Sequence, residues 1–301
     1  MFTSFRQMEE YVLSHNIRKK VALAGAHDDD ALAAVVSAKR KGIIKAVLIG
    51  QTGKIEELLT EMGEEPKEYE IISCDSENAC ARMACIMVRE GKADIPMKGL
   101  MQTSSFMRAI LAKEFGFIPE KGLLSQATVL EFSQENRLLI ISDCAVNINP
   151  DYPEKIKILN NAVLLANKLG ISWPKAAIIA PVEVVNPAIP ATVEAAMLSK
   201  AAGRGQISGC LVDGPLALDN AISREAARHK GIESEVAGDA DILLMPDLCT
   251  GNVFTKSLIY FAQMPSSGTL NGTSSPVVMT SRTDKPENKY YSILTAVVQS
   301  L

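Results

Sequence analysis

The chain is poor in the features that mark several large protein classes. Its 301 residues include one Trp and three His, and the formal net charge is -4. Nucleic-acid binding needs a concentrated positive footprint, and no long basic run supplies one. No apolar run approaches the length of a membrane span. The first residues, MFTSFRQMEEYVLSHN, are polar and amphipathic, carry Glu9 and Glu10, and lack the apolar core of a signal peptide. Six cysteines (Cys74, Cys80, Cys85, Cys144, Cys210, Cys249) show no CxxC spacing. That pattern argues against a zinc site and against a secreted disulfide scaffold, and fits small buried side chains in a reducing cytoplasm. Neither GxGxxG nor GxxxxGK[ST] occurs, so the common NAD and ATP phosphate loops are missing.

What is present is ordinary globular composition, 47% hydrophobic and 22% charged, which excludes disordered and collagen-like chains. Nearly continuous apolar runs predict strands at Val21–Ala26, Ile43–Ile49, Glu70–Ser73, Ala93–Met97, Thr128–Phe132, Leu138–Ser142, Ala176–Ala180, Gly209–Val212, Ile242–Met245 and Val277–Thr280. Runs of this kind suit strands covered on both faces. Amphipathic helices fall between them, at about 28–41, 53–62, 77–90, 104–115, 153–169, 190–202, 217–229, 251–261 and 286–299. Gly42, Gly63, Gly91 and Gly170 sit where left-handed C-caps belong, and Asp28 and Ser76 where N-caps belong. The alternation predicts an α/β fold with doubly wound parallel sheets. Ten strands are many for one open sheet, and the region 120–136, ending in a hairpin-like polar turn, breaks the rhythm. Two domains are expected: residues 1–132 with about 275–301, and residues 133–274.

Polar residues gather at predicted strand ends, the ligand side of open α/β sheets. The strand 277–280 ends in Ser281-Arg282-Thr283-Asp284, where a planar guanidinium suits a small oxyanion such as phosphate. Asp284 is there either as the ion-pair partner of the Arg or as a proton acceptor. Lys98-Gly99-Leu100-Met101-Gln102-Thr103-Ser104-Ser105, followed by Arg108, reads as a strand end, a turn and a hydroxyl-capped helix with an Arg in its first turn. Free N–H groups, hydroxyls and a guanidinium would converge there on an anion; the plainer alternative is a solvated Arg and an ordinary cap. Asp143, Cys144, Asn147 and Asn149 follow another strand, and no His stands in a partner pattern for a Cys nucleophile. Asp213, Asp247 and Asp143 together suit either a metal or turn formation and helix capping. Gly251 and Asn252, after Thr250, suit close approach of a nucleotide to a helix start.

The motifs KGLMQTSSFMRAIL, SDCAVNINP, VDGPLALDNAIS, ADILLMPDLCTGN and SRTDKPENK occur in order across roughly 98–288. Together they resemble the phosphate acetyltransferase and phosphate butyryltransferase family, nearer its butyryl branch in TSSFMRAIL and in length. The resemblance implies two α/β/α domains with an active-site cleft between them, similar to isocitrate and isopropylmalate dehydrogenases. It implies reversible transfer of a short-chain acyl group, butyryl favoured, between CoA and orthophosphate, by direct attack and without a metal or tightly bound cofactor. By this resemblance Ser281 and Arg282 are catalytic, and Asp284, or else Glu287, stands in for the family's base. Lys98, Thr103, Ser104, Arg108, Asp143, Cys144, Asn147 and Asp213 bind phosphate or substrate, Cys144 without acting as nucleophile. Asp247, Thr250, Gly251 and Asn252 bind CoA. A catalytic Asp of the acetyltransferases lands here on Asn288, which cannot accept a proton as a carboxylate does. The resemblance further implies a cytoplasmic homodimer or higher homo-oligomer that uses acyl-CoA and orthophosphate and engages neither nucleic acid nor membrane. An acetyl preference, a CoA-binding or acyl-CoA-sensing protein with weakened turnover, and a metal- and nicotinamide-dependent decarboxylating dehydrogenase are the competing readings.

Overall fold

Val21, Ala22, Leu23 and Ala24 have no solvent exposure, and Val47, Leu48 and Ile49 beside them have none either. Side chains alternate across a strand, so burial of every successive residue means that both sheet faces are covered. A computed structural model describing all 301 residues shows how that cover is built. The chain divides into two compact units. A terminal unit contains Phe5–Gly122 and Ser267–Leu301, and a central unit contains Leu123–Ser266 with Met1–Ser4.

In the terminal unit, β1 (Lys19–Ala24), β2 (Ile44–Gly50), β3 (Glu70–Ser73) and β4 (Ile95–Lys98) are parallel. The short β11 (Val277–Val278) joins β4 in parallel and pairs antiparallel with β10 (Ser266–Asn271), giving the order β3-β2-β1-β4-β11-β10. The helices pack in two groups, as a doubly wound sheet requires. Helices α1 (Phe5–Ser14), α2 (Asp29–Arg40) and α11 (Pro286–Gln299) form one, and α4 (Glu77–Arg89) with α5 (Thr103–Ile110) the other. Helix α3 (Thr52–Glu61) packs on β2 and β3. Asp28 caps α2 by accepting from Ala31 N–H, and Ser76 caps α4 by accepting from Ala79 N–H. Gly42, Gly63 and Gly91 all take positive φ after their helices.

In the central unit the order is β5-β6-β9-β7-β8. The hairpin of β5 (Ser125–Phe132) and β6 (Arg137–Ser142) is antiparallel, and β9 (Ile242–Leu244), β7 (Lys175–Ile179) and β8 (Leu211–Leu216) continue in parallel. Helices α6 (Tyr152–Lys168) and α7 (Pro190–Gly203) pack together, as do the short α8 (Leu218–Ile222) and α9 (Arg224–His229); α10 (Leu248–Tyr260) packs on β6.

Three expectations from sequence are corrected. A division at residues 132/133 would cut the β5–β6 hairpin, whereas the ladder from Ala127–Ser142 to Phe132–Arg137 keeps both strands in one unit. One helix over 217–229 is two, because Ser223 leaves helical geometry and caps the second by accepting from Ala226 N–H. Strand β10, with the sequence SSGTLN, escaped notice because it is polar: Ser266, Ser267, Thr269 and Asn271 are buried, and Thr295 of α11 donates to Ser267 Oγ at 2.8 Å. No helix is long and apolar enough to cross a membrane.

Candidate active site

The parallel strands of the terminal unit end at one edge, and β4 delivers Lys98 there. Crossing backbones fix its position. Gly99 N–H donates to Ala24 O (2.8 Å) and Leu100 N–H to Gly25 O (2.9 Å). A Cβ on Gly99 would stand 2.4 Å from Gly25 O, and one on Gly25, at φ +74, would stand 2.7 Å from Leu100 O. The turn after Lys98 therefore needs glycine on both strands. Lys98 is 3% exposed, and its Nζ makes a single hydrogen bond, 3.4 Å to Gly99 O. No carboxylate lies within ion-pair distance of it. Burial pushes its pKa down, and neighbouring Arg282 and Lys289 push the same way against Asp28 and Asp284. Three cations with so little direct neutralisation make this edge a place for an anion.

Ser281 and Arg282 follow β11 on an exposed turn whose shape is held from beneath. Asp284 Oδ2 accepts from Ser281 N–H at 2.7 Å, and Asp284 N–H donates back to Ser281 O at 3.3 Å. Lys289, only 2% exposed, donates its ammonium to Ser281 O (2.8 Å) and Asp284 O (2.9 Å). Ser281 Oγ lies 3.1 Å from Thr283 Oγ1. Arg282 forms no ion pair and projects from this brace. Asn288 is buried in the first turn of α11, with its carbonyl accepting from Ser292 Oγ at 2.8 Å.

At the start of α5 the expected hydroxyl cap is replaced. Gln102 is the N-cap residue without a side-chain bond, and its N–H donates to Glu77 Oε2 at 2.9 Å. That bond, with contributions from Ser105, Arg282 and Lys98, holds the Glu77 carboxyl below the usual range against its slight burial. Thr103 and Ser104 are exposed. Arg108 lies in the last turn of α5 and not the first, with Nη1 3.5 Å from Asn78 Oδ1. A cation at a helix C-terminus is favourable, so the place of Arg108 needs no cause outside the helix.

In the central unit the strand-end polar groups bind one another. The buried Asp143 carboxylate accepts from the N–H groups of Ala145 (2.8 Å), Val146 (2.9 Å), Gln126 (3.3 Å) and Asn147 (3.3 Å), and from Asn147 Nδ2 (2.5 Å). Asn147 also donates to Leu124 O. Cys144 is 3% exposed; burial pushes its thiol up to about 12, and it accepts from Thr255 Oγ1 at 3.1 Å. Such a thiol is no nucleophile near neutral pH. Asp213 accepts from Gly214 N–H and Ser199 Oγ, while Asp247 caps α10 by accepting from Thr250 N–H. The metal reading of Asp143, Asp213 and Asp247 thus gives way to turn formation and capping. Gly251 answers a need within the fold: a Cβ there would lie 2.2 Å from Asp143 O, and Asn252 Nδ2 donates to Cys144 O at 3.0 Å. The close approach seen here is that of the protein's own backbone.

Sequence reading missed Lys289 and Glu77. The one signal for Lys289 is a lysine at the start of an otherwise apolar helix; Glu77 looked like an ordinary first-turn acid. Beside Glu77 a cavity of about 210 Å³ opens at the strand ends, lined among others by His27, Cys74, Cys80 and Leu100. Burial, together with Lys54, lowers the pKa of His27 there.

Comparison with known proteins agrees with this arrangement. The family described as "Phosphate acetyl/butaryl transferase" matches residues 77–297. The chain is 46% identical over 298 residues to phosphate butyryltransferase of Clostridium acetobutylicum, covering 99% of this chain and 98% of the relative. It is 42% identical over 280 residues to phosphate acetyltransferase of Thermotoga maritima, covering 93% and 95%. The crystal structure of a branched-chain phosphotransacylase from Enterococcus faecalis V583 superposes with a TM-score of 0.82 at 32% identity, covering 94% of this chain and 99% of that one. Residue match, length match and fold match coincide, and the chain belongs to the phosphate acetyl/butyryl transferase family.

Proposed function

We propose that this protein catalyses reversible transfer of a short-chain acyl group, butyryl favoured, between CoA and orthophosphate. The observation that carries the reading is the meeting of Lys98 and Arg282 at the strand-end edge of the terminal unit, with so little direct neutralisation of their charge. Orthophosphate binds to that pair. Attack of its oxygen on the thioester carbonyl builds an oxyanion and gathers negative charge, which fixed cations and hydroxyl donors stabilise without reorganising. Arg282 is the main donor, Ser281 offers its hydroxyl beside the reacting thioester, and Thr103 and Ser104 add exposed hydroxyls. Arg108 serves as a peripheral cation.

Asp284, whose carboxylate accepts from Ser281 N–H, keeps the Ser281–Arg282 turn in shape. Asp143, Cys144, Asn147, Asp213, Asp247, Thr250, Gly251 and Asn252 have work within the central unit already, and no substrate contact is assigned to them. CoA acts as a substrate and not as a resident cofactor. Six free thiols suit a reducing cytoplasm. The exposed Val253, Tyr260 and Phe261 on and after α10 suit a homo-oligomer.

The test is incubation with butyryl-CoA while free thiol is followed, with and without orthophosphate. Strictly phosphate-dependent release is expected; CoA binding without release would favour an acyl-CoA sensor. The Thermotoga relative supports acetyl as a second reading, and the ratio of kcat/KM for butyryl-CoA and acetyl-CoA ranks the two.

A further inference from the structure

We propose that Lys98 is the proton carrier of the reaction, passing the proton of hydrogenphosphate to the departing CoA sulfur. The inference rests on the acyl-transfer reading and deepens it. The step balances as follows. Hydrogenphosphate and the acyl thioester become acyl phosphate and free thiol: a C–O bond forms, the C–S bond breaks, and one proton moves from phosphate oxygen to sulfur. As the thioester collapses, the Lys98 ammonium gives a proton to the leaving thiolate. The resulting amine takes the proton of the bound phosphate and is restored. In the reverse direction the amine accepts the proton of the CoA thiol.

Elimination and geometry carry this assignment. Five charged groups face Lys98 from four places: Asp28 at the start of α2, Glu77 at the start of α4, Arg282 and Asp284 on the turn after β11, and Lys289 of α11. Arg282 does not release its proton near neutral pH. Lys289 gives its hydrogens to Ser281 O and Asp284 O. Each carboxylate already accepts a backbone N–H: Asp28 from Ala31, Glu77 from Gln102 and Asp284 from Ser281. For Glu77 that bond holds the carboxyl below its usual range, which makes it a poorer base. Asn288 has no ionisable side chain. Among the groups that meet at Lys98 it is what remains, a buried amine beside Arg282 with one 3.4 Å hydrogen bond and three hydrogens to offer, while His27 lies in the neighbouring cavity by Gly50 and Lys54. Burial and the two neighbouring cations lower its pKa, which brings both protonation states closer to reach near neutrality.

Steady-state kinetics of the full chain in both directions, for wild type, Lys98→Arg and Lys98→Ala, test the inference. Arginine keeps the charge and cannot release the proton. For Lys98→Arg, KM for phosphate should stay within about threefold while kcat falls roughly 10²- to 10³-fold. In the thiol-consuming direction the variant depends on preformed thiolate, so kcat should rise about tenfold per pH unit below the thiol pKa. The wild type should be much flatter over the same range. Should Lys98→Arg fail to fold, as its thermal unfolding would reveal, Lys98→Ala with added methylamine takes its place, and at least tenfold recovery of kcat is expected. A Lys98→Arg variant with wild-type kcat, or one with lowered kcat and the wild-type pH profile, would overturn the proton role and leave Lys98 a charge anchor. No recovery with methylamine would do the same for the second variant. Absence of phosphate-dependent thiol release by the wild type would instead overturn the acyl-transfer reading itself.

Discussion

The buried ammonium of Lys289 donates to the carbonyl oxygens of both Ser281 (2.8 Å) and Asp284 (2.9 Å), closing the turn that carries Arg282. Its two carbonyl partners sit three residues apart, so a single side chain fixes the ends of the turn. Lys289→Met keeps the chain length and removes both bonds. Hydrogen bonds from a charged group contribute roughly 1.5–3 kcal/mol each, partly offset here because the buried charge also disappears, so a net loss of about 2–3 kcal/mol is expected in urea unfolding. The same variant should raise KM for phosphate, because Arg282 loses its support. Unchanged stability together with unchanged KM would show that the turn holds without the lysine.

Gly251 offers a test of sign. It lies inside α10, where helix propensity alone says that alanine should stabilise by about 0.5–1 kcal/mol. The structure says the reverse, since the added Cβ would meet Asp143 O at 2.2 Å and neither backbone can retreat easily. Gly251→Ala should therefore destabilise the protein by roughly 1–3 kcal/mol, as overpacking does. A stabilised variant would mean that α10 slides away from the turn at Asp143 at little cost.

Much of this fold is legible in the residues. Continuous apolar runs gave ten of eleven strands to within three residues at their starts, because a strand covered on both faces has no polar partner to hide its signal; β10 shows the limit, since hydrogen bonds satisfy its buried hydroxyls and no apolar pattern remains. At the site, Lys98 and Arg282 were legible as strand-end cations. The place of Arg108 was not, because α5 stops at Ile110, about five residues short of the expected end, and that puts Arg108 in the last turn. Asp143, Asp247 and Gly251 looked like ligand groups for a physical reason: polar residues and glycines at strand ends serve equally to hold a turn and to hold a ligand, and only the partners distinguish the two.

The thiols should react in an order set by burial. Cys249 is exposed on the first turn of α10, whereas Cys85 and Cys144 are buried with burial pushing each thiol up to about 12. A disulfide reagent at pH 8 should label Cys249 first and leave Cys85 and Cys144 unlabelled until unfolding. Cys249→Ser should abolish the fast phase and leave turnover unchanged, and Cys144→Ser should retain turnover within about tenfold, because neither thiolate takes part in bond making. Rapid labelling of Cys144 in the folded protein, or turnover lost with Cys144→Ser at normal stability, would reopen the nucleophile reading.

Arg282 and Arg108 should separate sharply when each is replaced by alanine. Arg282 stands on a braced turn beside Lys98, so it can meet developing charge with its position already fixed. Removal of one preorganised donor to an oxyanion lowers kcat by roughly 10²–10³, and that loss is expected for Arg282→Ala with the thermal midpoint little changed, since its side chain is exposed and unpaired. Arg108 is exposed at the far end of α5, near Asn78 and outside the braced turn. Arg108→Ala should raise KM for substrates by up to about tenfold and leave kcat within about threefold, the signature of binding that is uniform between ground and transition states. If the two profiles were exchanged, α5 and not the turn after β11 would be the part of the terminal unit that meets the transition state.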